Sequence, residues 1–287
     1  MPSTIDIRRR IRSVKNTQQI TKAMKMVSAA RLRRAQERML AARPYSAALR
    51  EVLASVATRV EGNEHPLLQP RENERNVLML VVSGDRGLAG AFNTNISRGA
   101  LNAIAERGWE NVTLLPIGRK ANDFFKRRRY PLRRQATQVF QALSLETARE
   151  ITEDVASAFI EGEFDAVYVI YNEFKSIIAQ RVTLERLLPL ERPPAPETGE
   201  ATIEYLFEPS PERILADLLP KHLEFQLYRI LLESAAAEQG ARMTAMEAAT
   251  KNATEMIDHL TLTYNRIRQA SITKEIIEIV SGAAAAG

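Results

Sequence analysis

The chain contains no cysteine. That excludes disulfide scaffolds, thiolate nucleophiles, zinc–thiolate sites and thiol redox switches at once. Aromatic residues make up only 6% of it, and alanine is abundant towards both ends, which favours long, closely packed helices over bulky cores. Histidine is scarce: His65, His222 and His259 are scattered, without metal-ligand spacing and without an evident acid partner. No apolar run approaches the roughly 20 residues that span a bilayer. The opening "MPSTIDIRRRIRSV" lacks the apolar core of a secretion signal, so the expectation is a bacterial cytoplasmic setting with no transit peptide.

What is present is ordinary in bulk and uneven in charge. At 287 residues and 32.2 kDa, the chain is long enough for one large core or two modest ones. Its 45% hydrophobic and 26% charged content is that of a folded protein. Residues 1–50 hold 13 Lys/Arg against Asp6 and Glu37, a net of +11, whereas the whole chain is +5 and residues 51–287 therefore −6. A basic arm on a mildly acidic remainder points to an acidic partner: nucleic acid, anionic lipid or an acidic protein surface.

Three regions follow from the patterning. In residues 1–60, Ser3 and Asp6 have capping-box spacing. Apolar or small residues then recur at Ile7, Ile11, Val14, Thr17, Ile20, Met24, Val27, Ala30, Ala35, Met39, Ala42, Tyr45, Leu49, Leu53, Val56 and Val60. Their mean spacing of about 3.5 is the repeat of a supercoiled helix, with Pro44 expected to kink or break it. A connector at 61–75 leads to an α/β region, 76–192. There "NVLMLVV", "NVTLLPIG", "QATQVF", "AVYVIYNEF" and "RVTLERLLPL" read as five strands, separated by helices at about 94–108, 119–129 and 144–163. The pattern predicts a mostly parallel sheet; the short link "KSIIAQ" makes the last strand antiparallel, at an edge. A Pro-rich connector, 193–210, precedes a helical region, 211–287. Pro220 marks a possible break there, a small-residue seam runs through Ala237, Ala241, Ala245 and Ala248, and Leu262, Ile267, Ile276 and Val280 follow. A long helix at each end suggests that the two pair antiparallel.

The stretch "VLMLVVSGDRGLAG", 77–90, has the parts of a phosphate cradle, a strand running into a glycine loop. Its G-x-x-G-x-x-G spacing is neither the dinucleotide fingerprint nor a phosphate loop ending in G-K-[ST]. No lysine lies in the loop, and Gly118, Arg119 and Lys120 stand where a ribose-binding acid is wanted. The glycines then serve a tight turn and a close helix–strand approach. Ser83 lacks the nucleophile-elbow pattern, and Glu275 and Glu278 read as a solvated pair. No catalytic constellation emerges.

"NTQQITKAMKMVSAARLRRAQ" (16–36) and "YNRIRQASITKEIIEIVSGAA" (264–284) strongly resemble the gamma subunit of F-type ATP synthases. Ile272, Thr273, Glu275, Glu278, Gly282 and Ala283 match that family's C-terminal pattern. "SGDRGLAGAFN" resembles its middle motif, with Ala89-Gly90-Ala91 where Cys-Gly-Gly is usual. The resemblance implies an antiparallel coiled coil of the terminal helices beside a Rossmann-like, mostly parallel five-stranded domain that binds no nucleotide. It implies a mechanical role without a catalytic site, metal or cofactor of its own. The coiled coil would turn inside a hexamer of alpha and beta subunits and drive ATP synthesis there, its foot on the membrane ring of c subunits with the epsilon subunit alongside. Proton flow would turn the ring, and membrane association at the cytoplasmic face of the inner membrane would be peripheral, through the complex only. By motif position, Met24 and Lys25 would face an acidic beta loop, Arg268 and Gln269 would form a catch on a beta subunit, and Tyr205 and Glu208 would belong to the ring and epsilon foot. A basic coiled-coil scaffold for nucleic acid or anionic membrane is the alternative. The lack of interleaved aromatics and the helical periodicity of the basic arm argue against nucleic acid.

Overall fold

The computed structural model describes residues 3–57, 60, 65–191 and 210–285. They group into two compact units, Met1–Ser28 with Arg242–Gly287, and Ala29–Ala241. Two long helices, α1 (Thr4–Ala57) and α5 (Pro211–Ala285), contribute to both. Both helices continue through their prolines, so neither Pro44 nor Pro220 ends one. Each forfeits one backbone hydrogen bond, but buried Leu49 and Leu53 follow the first, and Leu215, Leu219 and Leu223 flank the second, so packing outweighs the loss.

The larger unit is an α/β domain. Its sheet has the order β2-β1-β3-β4, from β1 (Asn76–Val82), β2 (Asn111–Ile117), β3 (Ala166–Phe174) and β4 (Gln180–Leu188). β1 pairs in parallel with β2 and β3, and β4 runs antiparallel to β3 at the edge, as the short link required. β1 is buried at Val77 to Val82, the signature of a strand covered on both faces. Met79 and Val81 pack with Ile96, Ala100 and Phe125 of α2 (Phe92–Arg107) and α3 (Arg119–Arg127). Leu78, Leu80 and Val82 face the other way, towards Ile151, Val155 and Phe159 of α4 (Leu145–Ile160) and the cluster holding Leu53, Leu227 and Ile230.

Among the described residues the sheet has four strands, and the expected third one, "QATQVF", is not among them. "QATQVF" makes one isolated bridge, Ile117 to Ala136, and then a 3-10 turn at Val139–Gln141. The cause lies in β2. Leu114 donates to Pro131 O and accepts from Arg133 N–H, but Pro116 has no N–H to continue the ladder. Pairing resumes one residue late, with Ala136 N–H on Pro116 O.

A polar cluster fastens α5 to the edge strand. Arg229 donates to both Glu185 oxygens at 2.9 and 3.1 Å, and Gln226 and Tyr171 donate to Glu185 at 2.9 and 3.0 Å. Burial, then the Glu185 charge, pushes the Tyr171 phenol well above its ordinary range. Burial works against the Arg229 charge too, yet Glu185, Tyr171 and Glu233 together hold it above the usual arginine value. The cluster thus anchors α5 to one face of the sheet at β3 and β4 through ionic contacts.

In the smaller unit, the two helical stretches run antiparallel. Ser3 and Asp6 form the reciprocal cap, Asp6 N–H on Ser3 Oγ and Ser3 N–H on Asp6 Oδ2. Across the pair, Arg8 donates to Tyr264 at 2.6 Å, Gln18 to Thr254 at 2.7 Å, Thr250 to Thr21 at 2.8 Å, and Lys25 to Glu247 at 2.6 Å. The paired residue numbers always add to 271 or 272. The inward positions of α1 here are Ile7, Ile11, Val14, Gln18, Thr21, Lys25 and Ser28, alternating steps of four and three. That corrects the stripe read from the sequence: Ile20 and Val27 are 60% and 53% exposed, and Thr17 is exposed too. Leu262 is likewise exposed at 71%, and the α5 seam passes through Met246, Ala253, Ile257, Leu260 and Tyr264. Following apolar residues misled because this part of the seam is polar.

Two outcomes are expected. Gly118 ends β2 at φ +97°, and a Cβ there would lie 2.0 Å from the Ser83 carbonyl oxygen. Gly118→Ala should therefore destabilise the chain by at least ~2 kcal/mol in urea unfolding; a change under ~0.5 kcal/mol contradicts this account. Lys25 and Glu247 are only partly shielded, with side chains 38% and 61% exposed. A double-mutant cycle with Lys25→Ala and Glu247→Ala should give a coupling of about 0.2–1 kcal/mol that fades with added salt.

Candidate functional site

The start of the glycine loop is tied to the helix that follows the next strand. At the N-terminus of α3, Arg119 N–H donates to Asp85 Oδ1 at 3.0 Å and Lys120 N–H to Gly84 O at 3.1 Å. Ala121 N–H donates to the buried Ser83 Oγ at 2.8 Å, and Asn122 N–H to Gly118 O at 3.4 Å. The four amides that could receive a phosphate at this helix are all engaged. Near α2, Asn93 Oδ1 accepts from Gly84 N–H at 2.9 Å and its amide donates to Arg86 O at 3.2 Å. Ala89 and Phe92 are buried against Ala237 of α5.

The same region is electrostatically wrong for an anion. Glu238 Oε1 lies 2.7 Å from where a Cβ on Gly84 would stand, and the Asp85 carboxylate occupies the α3 terminus. A cation does approach: Lys120 Cε lies 4.0 Å from a Cβ built on Gly87. A search confined to the loop misses Lys120, which follows the next strand. Ser83 is a cap for α3 and not an exposed nucleophile.

The residues singled out at the helix ends fall into three groups. Met24 and Lys25 are half-buried in the smaller unit, and Lys25 is already held by Glu247 at 2.6 Å. Nothing in the sequence flags Glu247, which lies 222 positions away. Arg268 and Gln269 are exposed on α5. By the pairing register, Arg268 falls opposite Thr4, the first residue of α1, so the helix beyond it has no α1 counterpart among the described residues. Every residue from Arg268 to Ser281 is exposed, including Ile272, Thr273, Glu275 and Glu278, and so is Ala283; Gly282 lies within α5. Ile276, Ile277, Ile279 and Val280 are 55–72% exposed. Lys274 pairs with Glu278 at 3.5 Å and Ser271 donates to Glu275 at 3.3 Å, both within the helix. Tyr205 and Glu208 lie outside the described residues.

The geometry is therefore that of a protein-binding surface: exposed basic residues on α1, a polar paired stretch, then an unpaired helix carrying exposed isoleucines. Among the described residues, no helix is long and apolar enough to cross a membrane.

Comparison with known proteins agrees with this geometry. A sequence model of the family described as ATP synthase matches residues 3–286. The ATP synthase gamma chain of Solibacter usitatus (strain Ellin6076) is 55% identical over 290 residues, covering 100% of both chains. That of Chlorobaculum tepidum (strain ATCC 49652 / DSM 12025 / NBRC 103806 / TLS) is 50% identical over 291 residues, covering 99% of this chain and 98% of the relative. Among solved structures, a chain of the Tetrahymena thermophila mitochondrial ATP synthase central stalk and c-ring aligns with a TM-score of 0.62 at 26% identity, over 80% of this chain and 99% of its own. A chain of the Euglena gracilis mitochondrial ATP synthase shares the fold, with a TM-score of 0.70 at 20% identity over 98% and 94% of the two chains. With a match that runs nearly end to end and relatives half identical over their full length, the chain belongs to the ATP synthase family, among its gamma chains.

Proposed function

We propose that this chain is the rotating central shaft of an F-type ATP synthase, coupling ion flow through a membrane ring to ATP synthesis or hydrolysis at beta subunits. The observation that carries this reading is the form of the terminal helices: paired by polar contacts from Arg8–Tyr264 to Lys25–Glu247, then continuing as one exposed helix. A shaft turning inside other subunits needs that form. Its contacts with those surrounding subunits must break at every step, and the exposed charge of α1 gives attraction without fixed geometry. The chain itself holds no chemistry in this reading; the catalytic sites belong to the beta subunits.

The finer assignments belong to the same proposal. The four-and-three spacing supports a supercoiled pair for the helical parts of 1–60 and 211–287, with 76–192 as the α/β domain between connectors 61–75 and 193–210. Met24 and Lys25 meet an acidic beta loop, which must compete with Glu247 for the Lys25 ammonium. Arg268 and Gln269 form a catch on one beta subunit, and the helix from Ile272 to Ala283 turns in an apolar sleeve of the alpha and beta hexamer. Tyr205 and Glu208 serve the foot on the c-subunit ring beside epsilon. The complex lies on the cytoplasmic face of a bacterial membrane, held through its partners, with protons as the coupling ion.

The absence of cysteine makes the rotary reading directly testable. Gln269→Cys introduces the chain's sole thiol, and a second cysteine on the facing beta loop, within the ~7 Å Cα separation a disulfide tolerates, can pin the two together. Oxidation should stop steady ATP hydrolysis by the whole complex, and a reductant should restore it. Full turnover with the crosslink complete on a gel would sink the proposal. Separately, calorimetric titration of the isolated chain with ATP or NADH should show no saturable micromolar binding, because the amides at α3 are engaged and Glu238 stands against Gly84.

A further inference from the structure

Residues 119–134, on the α/β unit and separate in sequence from the basic arm of α1, carry eight Lys/Arg against one acid, Asp123. Two uses of arginine are visible there. Arg133 is structural: it reaches Asp154 at 3.1 Å and also pairs with Glu163, and the Asp154 hydrogen bond leads in raising its pKa despite burial. Lys126, Arg127, Arg128 and Arg129 are exposed, and none has a carboxylate partner among the described residues.

This run is ordered by its own backbone. Tyr130 N–H donates to Phe125 O and Arg129 N–H to Lys126 O, the pair of bonds that closes a helix through a left-handed residue. That residue is Arg129, at φ +58°, where glycine is favoured and a side chain is strained. Arg128 sits over Phe124 with 3.7 Å from guanidinium carbon to ring centroid, and Arg127 Nε is tied to Asp123 O at 3.0 Å. Two guanidinium groups are thereby held with N–H groups still turned to solvent, next to a strained third.

We propose that Lys126–Arg129 is a docking surface for an acidic, Asp- or Glu-rich segment of a partner protein. Charge complementarity selects an anion. Held guanidinium forks suit the planar, bidentate geometry of carboxylates, whereas a lipid surface needs only mobile charge, which lysines supply equally well. Between Arg119 and Arg134 no large apolar side chain is exposed, so the contact is a charged rim and not a hydrophobic interface core. The left-handed arginine adds a second reason: the fold alone prefers glycine at 129.

The proposal rests on the chain residing in a multi-subunit complex but not on its rotation, which the Gln269 crosslink tests separately. In the purified complex, Lys126 should be protected from an amine-acetylating reagent relative to the isolated chain. A zero-length carbodiimide should join Lys126 to an aspartate or glutamate of another subunit, identified by mass spectrometry. Arg129→Gly should raise the melting temperature of the isolated chain by about 2 °C. Combined with Arg127→Gln, it should lower the crosslink yield by roughly threefold or more. Equal acetylation of Lys126 in complex and isolated chain would overturn the proposal. So would a crosslink indifferent to both substitutions, or a fall in melting temperature with Arg129→Gly, which would make the arginine a structural residue. Loss, in the same double variant, of binding to phosphatidylglycerol vesicles but not to poly-glutamate would assign the surface to membrane instead.

Discussion

A step of four residues followed by a step of three, repeated along α1, is the constraint to which most else defers. In the smaller unit it turns Ile7, Ile11, Val14, Gln18, Thr21, Lys25 and Ser28 inward; in the larger it does the same for Leu32, Ala35, Met39, Ala42, Ser46, Leu49 and Leu53. Because 3.5 residues per turn falls just short of the natural 3.6, a seam so spaced drifts by ~20° per heptad around a straight helix and keeps facing a partner only where the helices wind about each other. The apolar content of that seam changes along its length. Where leucines fill it, the α/β core gains a wall; where Gln, Thr and Lys fill it, hydrogen bonds to α5 take over.

That change of chemistry decides what could be read in advance. The sheet was legible because β1 is a continuous buried run and the glycine and proline punctuation around it is strong. Helix limits at 94–108, 119–129 and 144–163 fall within a few residues of Phe92–Arg107, Arg119–Arg127 and Leu145–Ile160. The fifth strand failed on one imino acid: "QATQVF" has strand composition, but Pro116 on its neighbour cannot donate. The α1 stripe held at Ile7, Ile11 and Val14 and at most positions from Ala35 onward, but slipped at Thr17, Ile20, Val27 and Ala30 for a different reason. Ile20 and Val27 attract any search for apolar periodicity, while the inward Gln18, Thr21 and Lys25 repel it, and only the distant partners on α5 reveal their orientation.

The candidate site was legible in kind and less so in geometry. The motif at 264–284 pointed to the family, and the glycine spacing argued against a phosphate cradle from the residues alone. What the spacing could not give is tertiary: Ser83, Gly84 and Asp85 cap α3, and Glu238 arrives from α5, 154 positions beyond Gly84. Lys25, singled out by motif position alone, turns out to be half of an ion pair within the chain.

The polar stretch of the seam also bears on mechanics. Leucines in a seam are interchangeable under a slip of one heptad, since each meets another much like itself. Arg8–Tyr264, Gln18–Thr254, Thr21–Thr250 and Lys25–Glu247 are not interchangeable, and all four share one offset. Sliding one strand along the other by two turns would break every one of them together and strand Thr21 and Lys25 against unmatched groups. The pair therefore resists axial creep out of proportion to the modest strength of each contact. It behaves as a ratchet-free splined rod, which can be bent or twisted as a body while its length stays constant.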